Sequence, residues 1–168
     1  MVNSNIYYCL LFCILNLTTG AHDYCWKDYI EDLPSCAIST RGIIIAQVAY
    51  NGILPAGFYW STKTAVTEWS GKKIVVTQAI KFLCDKNPHH FSWEYVTSDS
   101  LTGDSLKNLV IGGFEDNSTL YIGKIFHQGE WKVSKVFPAS SAWKGFRGWF
   151  SNNGTTYVAH DFEILKYV

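Results

Sequence analysis

The sequence predicts an all-β fold in which two tandem, pseudo-symmetric repeats pack as one compact β-sandwich-like domain. Three observations lead there. Aromatic residues make up 16% of the chain and sit among β-branched residues in every apolar run, the composition of half-buried strands. Gly, Pro, Asn and Ser interrupt those runs at short intervals, and no long segment carries a helical period. The chain also reads twice, from Trp26 to Cys84 and again from Trp93 to Lys166. Trp26 falls on Trp93, Ile45 on Ile122, Gly52 on Gly129 and Leu83 on Leu165, which is the signature of a duplicated unit.

Residues 1–20 contain no Asp, Glu, Lys or Arg, and their apolar run from Ile6 to Leu17 is too short to cross a bilayer. A secretory signal peptide cleaved before Ala21 is expected, and with it a secreted, extracellular protein without a membrane span. Repeat 1 then occupies 21–84, a linker 85–92 and repeat 2 93–168. The mature chain keeps all 14 basic and 14 acidic residues, so it offers no polybasic surface for nucleic acid or anionic membrane. Cys9 and Cys13 leave with the leader. Cys25, Cys36 and Cys84 remain, an odd set that implies one bridge and one free thiol. All three pairings are open, with Cys25 and Cys84, at the ends of repeat 1, the favoured pair.

Within repeat 1, Gly42–Gly52 is a strand ending at Asn51-Gly52, a dipeptide suited to a hairpin turn. Pro55 follows and demotes the next strand to an edge or bends it. Asn87-Pro88 marks the linker, where His89 and His90 are read as solvated neighbours: adjacent residues of an extended chain point to opposite sides and make a poor metal pair. In repeat 2, Thr119–His127 places apolar residues on both faces and is a strand covered twice. Gln128-Gly129 turns it into Trp131–Phe137, a second alternating run.

The second copy strings together Trp93, Val110-Ile111-Gly112-Gly113, the acidic stretch Phe114-Glu115-Asp116-Asn117, then LYIGKIFHQG, Lys135 within VSKV, and the closing Phe162-Glu163-Ile164-Leu165. Copy one keeps Leu33-Pro34-Ser35-Cys36-Ala37, IIIAQVAYNG, LPAGF and Ile80-Lys81-Phe82-Leu83. Together these resemble the DM9 repeat, found in tandem pairs in invertebrate proteins and in the N-terminal part of natterin-like proteins. The resemblance implies a two-repeat β fold and, for some members, a lectin activity toward mannose-type sugars. It makes Glu115, Asp116 and Lys135 the carbohydrate-binding candidates: a neutral sugar presents hydroxyls that a carboxylate accepts from and an ammonium donates to, with no metal or cofactor needed. Copy one departs from the pattern, with Gly57 at the lysine position and five residues missing between Ile38 and Gly42. In copy two, Thr156 stands where the family usually has Glu.

Asn117-Ser118-Thr119 and Asn153-Gly154-Thr155 are glycosylation sequons, and a glycan on Asn117 would sit beside Asp116. His160-Asp161 lacks a nucleophile motif beside it, so no catalytic residue is assigned and no enzyme is expected. Trp26 and Trp93 read as core, whereas Trp143 and Trp149 are candidates for a sugar-stacking surface. The expected protein is therefore a secreted, non-catalytic recognition protein whose partners are glycans or a secreted or cell-surface protein, with a homodimer open to it. The alternatives are an interaction or structural module with decayed sugar sites, and a natterin-like venom component.

Overall fold

In the computed structural model, residues 23–101, 106–140 and 144–168 are described; the expected leader and Trp143 lie outside them. The first unit runs β1 (Cys25–Asp28), β2 (Ser39–Thr40), β3 (Ile43–Ala49), β4 (Ile53–Tyr59), β5 (Thr64–Trp69), β6 (Lys72–Val76) and β7 (Ile80–Cys84). A 3-10 turn at Pro88–His90 leads to the second: β8 (Phe91–Thr97), β9 (Ile111–Glu115), β10 (Ser118–His127), β11 (Glu130–Phe137), β12 (Arg147–Asn152), β13 (Thr155–Ala159) and β14 (Asp161–Tyr167).

The two units have one topology. In the first the order is β1-β7-β3-β4-β5-β6 with β2 beside β3; in the second it is β8-β14-β10-β11-β12-β13 with β9 beside β10, every pair antiparallel. The registers agree residue by residue. Trp26 faces Leu83 as Trp93 faces Leu165, and Ile38 N donates to Leu83 O at 2.8 Å as Val110 N donates to Leu165 O at 3.1 Å. Ile45 pairs with Gly57 as Ile122 pairs with Lys135, which fixes Gly57 as the counterpart of Lys135.

Among the described residues, alternation along the strands yields three cores. One is centred on the first unit around Phe58, Phe82, Leu54 and Val48, with Leu120 of the second unit reaching in; burying each such aromatic contributes about 1.5–3 kcal/mol. A second lies around Phe150, Phe162, Ile164 and Val136. The third takes Ile43, Ile45 and Leu83 from one unit and Val110, Ile122, Val133 and Leu165 from the other. The half-buried Trp26 and Trp93 pack against this shared core, so both tryptophans are core residues.

The main asymmetry is the β9/β10 arm. Eleven residues separate Val110 from Ile122, whereas six separate Ile38 from Ile45. The extra length adds two cross-strand pairs and a bulge near Leu120/Tyr121. It carries the arm far enough for Phe114 to pair with Ile53 of β4 and join the units into one sheet. Gly113 permits that approach: its φ is 151°, and a Cβ there would lie 1.9 Å from Ile53 O. Cross-unit hydrogen bonds are reciprocal. Gln47 Nε2 donates to Gly112 O at 2.8 Å, and Lys124 Nζ, at the same register in the second unit, donates to Thr40 Oγ1 at 3.3 Å.

Three expectations need correction. Pro55 does not make β4 an edge strand, because β5 pairs with β4 only from Gly57 onward and Pro55 precedes that stretch. Phe126 is 59% exposed, so the double covering of β10 ends at Ile125. The linker is solvated only in part: residues 86–89, His89 among them, are exposed as expected, but Asp85 is buried and His90 Nδ1 lies 3.1 Å from both Asp85 Oδ2 and Tyr167 Oη, tying the linker to β14. Hydrogen bonds from Asn87 N, His90 and Tyr167 hold the Asp85 carboxyl below its usual range against the opposing effect of burial.

Candidate functional site

Lys135 sits in β11, flanked by Ser134 and Val136, with all three buried. Its ammonium is enclosed by two carboxylates. Glu115 Oε2, from the tip of the β9/β10 arm, is 2.5 Å away, and Glu68 Oε2, from β5 of the other unit, is 3.0 Å away. Lys135 and Glu68 side chains are each 2% exposed and that of Glu115 8%. Glu68 Oε1 accepts from Gly71 N at 2.7 Å and from Thr156 Oγ1 at 3.2 Å. Glu68 Oε2 is close to the ammonium but misaligned for a hydrogen bond, so charge rather than hydrogen bonding couples those two.

With all three groups ionised, this niche carries one excess negative charge, in a setting where solvent screens little. Of the sequence candidates, Glu115 and Lys135 meet. Asp116 does not join them: it is exposed on the two-residue turn after β9, with φ of 47°. Thr156, at the position the family usually fills with Glu, contacts Glu68 instead of Lys135.

Glu68 was missed because it comes from the other repeat. Its only sequence signal is a lone acid in the apolar strand TAVTEW.

The pseudo-symmetric niche of the first unit is open. Gly57 stands at the Lys135 register, Ser151 of β12 at the register of Glu68, and Lys73 of β6 at that of Thr156. The Arg41-Gly42 turn replaces Asp116-Asn117. A groove of about 620 Å³ results, lined among others by Arg41, Lys73, Glu130, Trp131, Lys132 and Ser151. Lys132 Nζ pairs with Glu130 Oε2 at 2.8 Å. Lys132 first, then Lys73, hold the exposed Glu130 carboxyl below its usual range.

Asn117 and Asn153 are both exposed on turns, with φ of 63° and 49°. Cys25, Cys36 and Cys84 are thiols gathered at one sheet edge. Cys25 lies directly across from Cys84, and the Cys36 carbonyl accepts from Asp85 N at 3.0 Å, which sets Cys36 beside Cys84. Trp149 is half-buried with its indole N–H enclosed, so it offers a poorer stacking face than expected. Ser98 Oγ lies 3.3 Å from His160 Nδ1. No group of three or more metal-ligating side chains occurs among the described residues.

Two β units of one topology, joined by a shared core and a buried lysine–carboxylate cluster, define a tandem-repeat β protein. Residues 40–146 match the DM9 repeat, and the chain belongs to the DM9-repeat family. The nematode sperm cell motility protein MFP2B has the same fold in its crystal structure, with a TM-score of 0.56 at 12% identity over 88% of this chain and 45% of that one. The chain thus spans less than half of MFP2B. No curated protein matches.

Proposed function

We propose that this DM9 protein is a secreted, non-catalytic recognition protein that binds carbohydrate at the junction of its two repeats. The observation that carries this reading is the fixed approach of carboxylate and ammonium at Glu115 and Lys135, 2.5 Å apart beneath the exposed Asp116-Asn117 turn. Rigid donors and acceptors of opposite charge are what paired sugar hydroxyls select. A glycan array probed with the mature chain, made without N-glycans, tests it. Binding should fall in Asp116→Ala and Glu115→Gln; an array with no signal, or signal unchanged in both variants, overturns the reading.

A second reading is an interaction or structural module whose sugar sites have decayed. Closure of the cluster favours it: with the Lys135 side chain 2% exposed, its ammonium is spent on internal carboxylates. A defined protein partner in a pull-down, together with no thermal stabilisation by any saccharide, is the outcome this reading expects.

A further inference from the structure

The first-unit groove is the charge-inverted twin of the Lys135 niche, and we propose that it binds an anionic saccharide, a sugar unit bearing a sulfate or carboxylate. The proposal rests on the reading of the chain as a carbohydrate-recognition protein, not on binding at Glu115 and Lys135, and assigns a ligand class to the other of the two niches.

With glycine at position 57, Ile43 and Val133 close in where the other niche holds a lysine side chain. A Cβ at this position would lie 2.8 Å from Ile43 Cγ2 and 3.4 Å from Val133, so those side chains form an apolar floor. Substitution then reverses the charge of the walls. The acidic turn residue Asp116 is replaced by Arg41, Thr156 by Lys73, and Glu68 by the neutral Ser151. Arg41 and Lys73 are exposed, while Lys132 is largely occupied by Glu130. The groove therefore carries two cations in excess, in a protein of zero net charge.

Two further features suit a saccharide better than a bare anion. The volume, about 620 Å³, falls within the range of small-molecule sites. Ser151, only 9% exposed, has an Oγ with no hydrogen-bond partner among the described residues, and leaving a buried hydroxyl unpaired is unfavourable. A ligand hydroxyl reaching the floor would satisfy it. Arg41 rests its guanidinium carbon 5.2 Å from the Trp131 ring centroid; stacking uses the face of a guanidinium and leaves its N–H edge for a bidentate oxyanion.

The test is isothermal titration of the mature chain, made without N-glycans, with N-acetylglucosamine 6-sulfate, glucuronic acid, N-acetylglucosamine and sodium sulfate. At least one acidic sugar should bind saturably and more tightly than the neutral one. Arg41→Ala and Lys73→Ala should each weaken it about tenfold, and Lys86→Ala, a charge loss on the exposed linker, should not. Equal binding of the neutral sugar, equal binding of sulfate alone, or affinity indifferent to Arg41→Ala and Lys73→Ala overturns the proposal. If saccharides bind but respond only to the Glu115 and Asp116 variants, the groove assignment falls and the recognition reading stands. If no saccharide binds, both fall.

Discussion

Replacing Lys135 with Met keeps length and volume while deleting the charge that two buried carboxylates share. At separations of 2.5 and 3.0 Å, each ion pair is worth about 6 kcal/mol of gross attraction at an effective dielectric near 20. That figure is offset by burying the ammonium and by the repulsion between Glu68 and Glu115. The net effect is governed by what remains: two carboxylates with no counter-ion, in a site built to exclude water. Removing one partner of such a cluster typically costs about 3–5 kcal/mol, against a total stability of about 5–15 kcal/mol common for a domain.

Urea titration followed by tryptophan fluorescence reads this directly, as a lower midpoint at constant slope. A thermal melt should drop by about 10 °C. The triple variant Glu68→Gln/Glu115→Gln/Lys135→Met separates charge from packing: neutral groups of similar shape should recover most of the loss, because neither buried charge is left unpaired. A Lys135→Met protein within about 1 kcal/mol of the parent, or a triple variant less stable than Lys135→Met alone, refutes the argument that the cluster clamps the repeats through charge.

Gly113→Ala should uncouple the arm from β4, since the added carbon would lie 1.9 Å from Ile53 O; faster amide exchange at Phe114 and Ile53 is the readout, and unchanged protection there refutes it. Burial pushes the phenols of Tyr24, Tyr59 and Tyr121 above the ordinary 10.0. Because the fold favours their neutral form, their contribution is fully present below the unfolded value and is lost as pH rises through the folded ones. Melting temperature should therefore decline above about pH 10, in step with tyrosinate absorbance; a flat profile through that titration counts against it. Among the thiols, Cys84 is the hub, meeting both Cys25 and Cys36. Burial first, then Cys36, push its thiol up, which slows attack by Cys84 itself. Protein from an oxidising compartment should contain one bridge that includes Cys84 and one alkylatable thiol, and alkylated Cys84 in the folded product would contradict this.

Much of the fold was legible because strands with one buried face write their register into the sequence as a period of two. Trp26 and Trp93 could be superposed by eye, and with them Gly57 and Lys135, whose strand partners turn out to be the equivalent Ile45 and Ile122. Docking between the units left no such trace. Glu68 reaches Lys135 across 67 positions of chain, and nothing in TAVTEW says which surface it faces. Phe114 on β4 is likewise a tertiary event. The linker misled for a related reason: Asn87-Pro88 correctly marks a turn, but composition cannot show that His90 closes onto Asp85 and Tyr167.

The duplicated architecture separates two demands that conflict within one site. A lysine held by two buried carboxylates gains rigidity by turning its charges inward, which reduces what it can offer a ligand. Its twin lost the lysine at Gly57 and the acidic tip to a shorter arm, so the Arg41-Gly42 turn ends beside Trp131. Since Ile43, Ile45 and Leu83 share one core with Val110, Ile122 and Leu165, neither niche keeps its shape without the other unit. Ile43 and Val133 belong both to that core and to the groove. Loosening the clamp at Lys135 should therefore blunt ligand discrimination in the groove even where no ligand touches Lys135, measurable as a narrower gap between acidic and neutral sugar affinities in Lys135→Met.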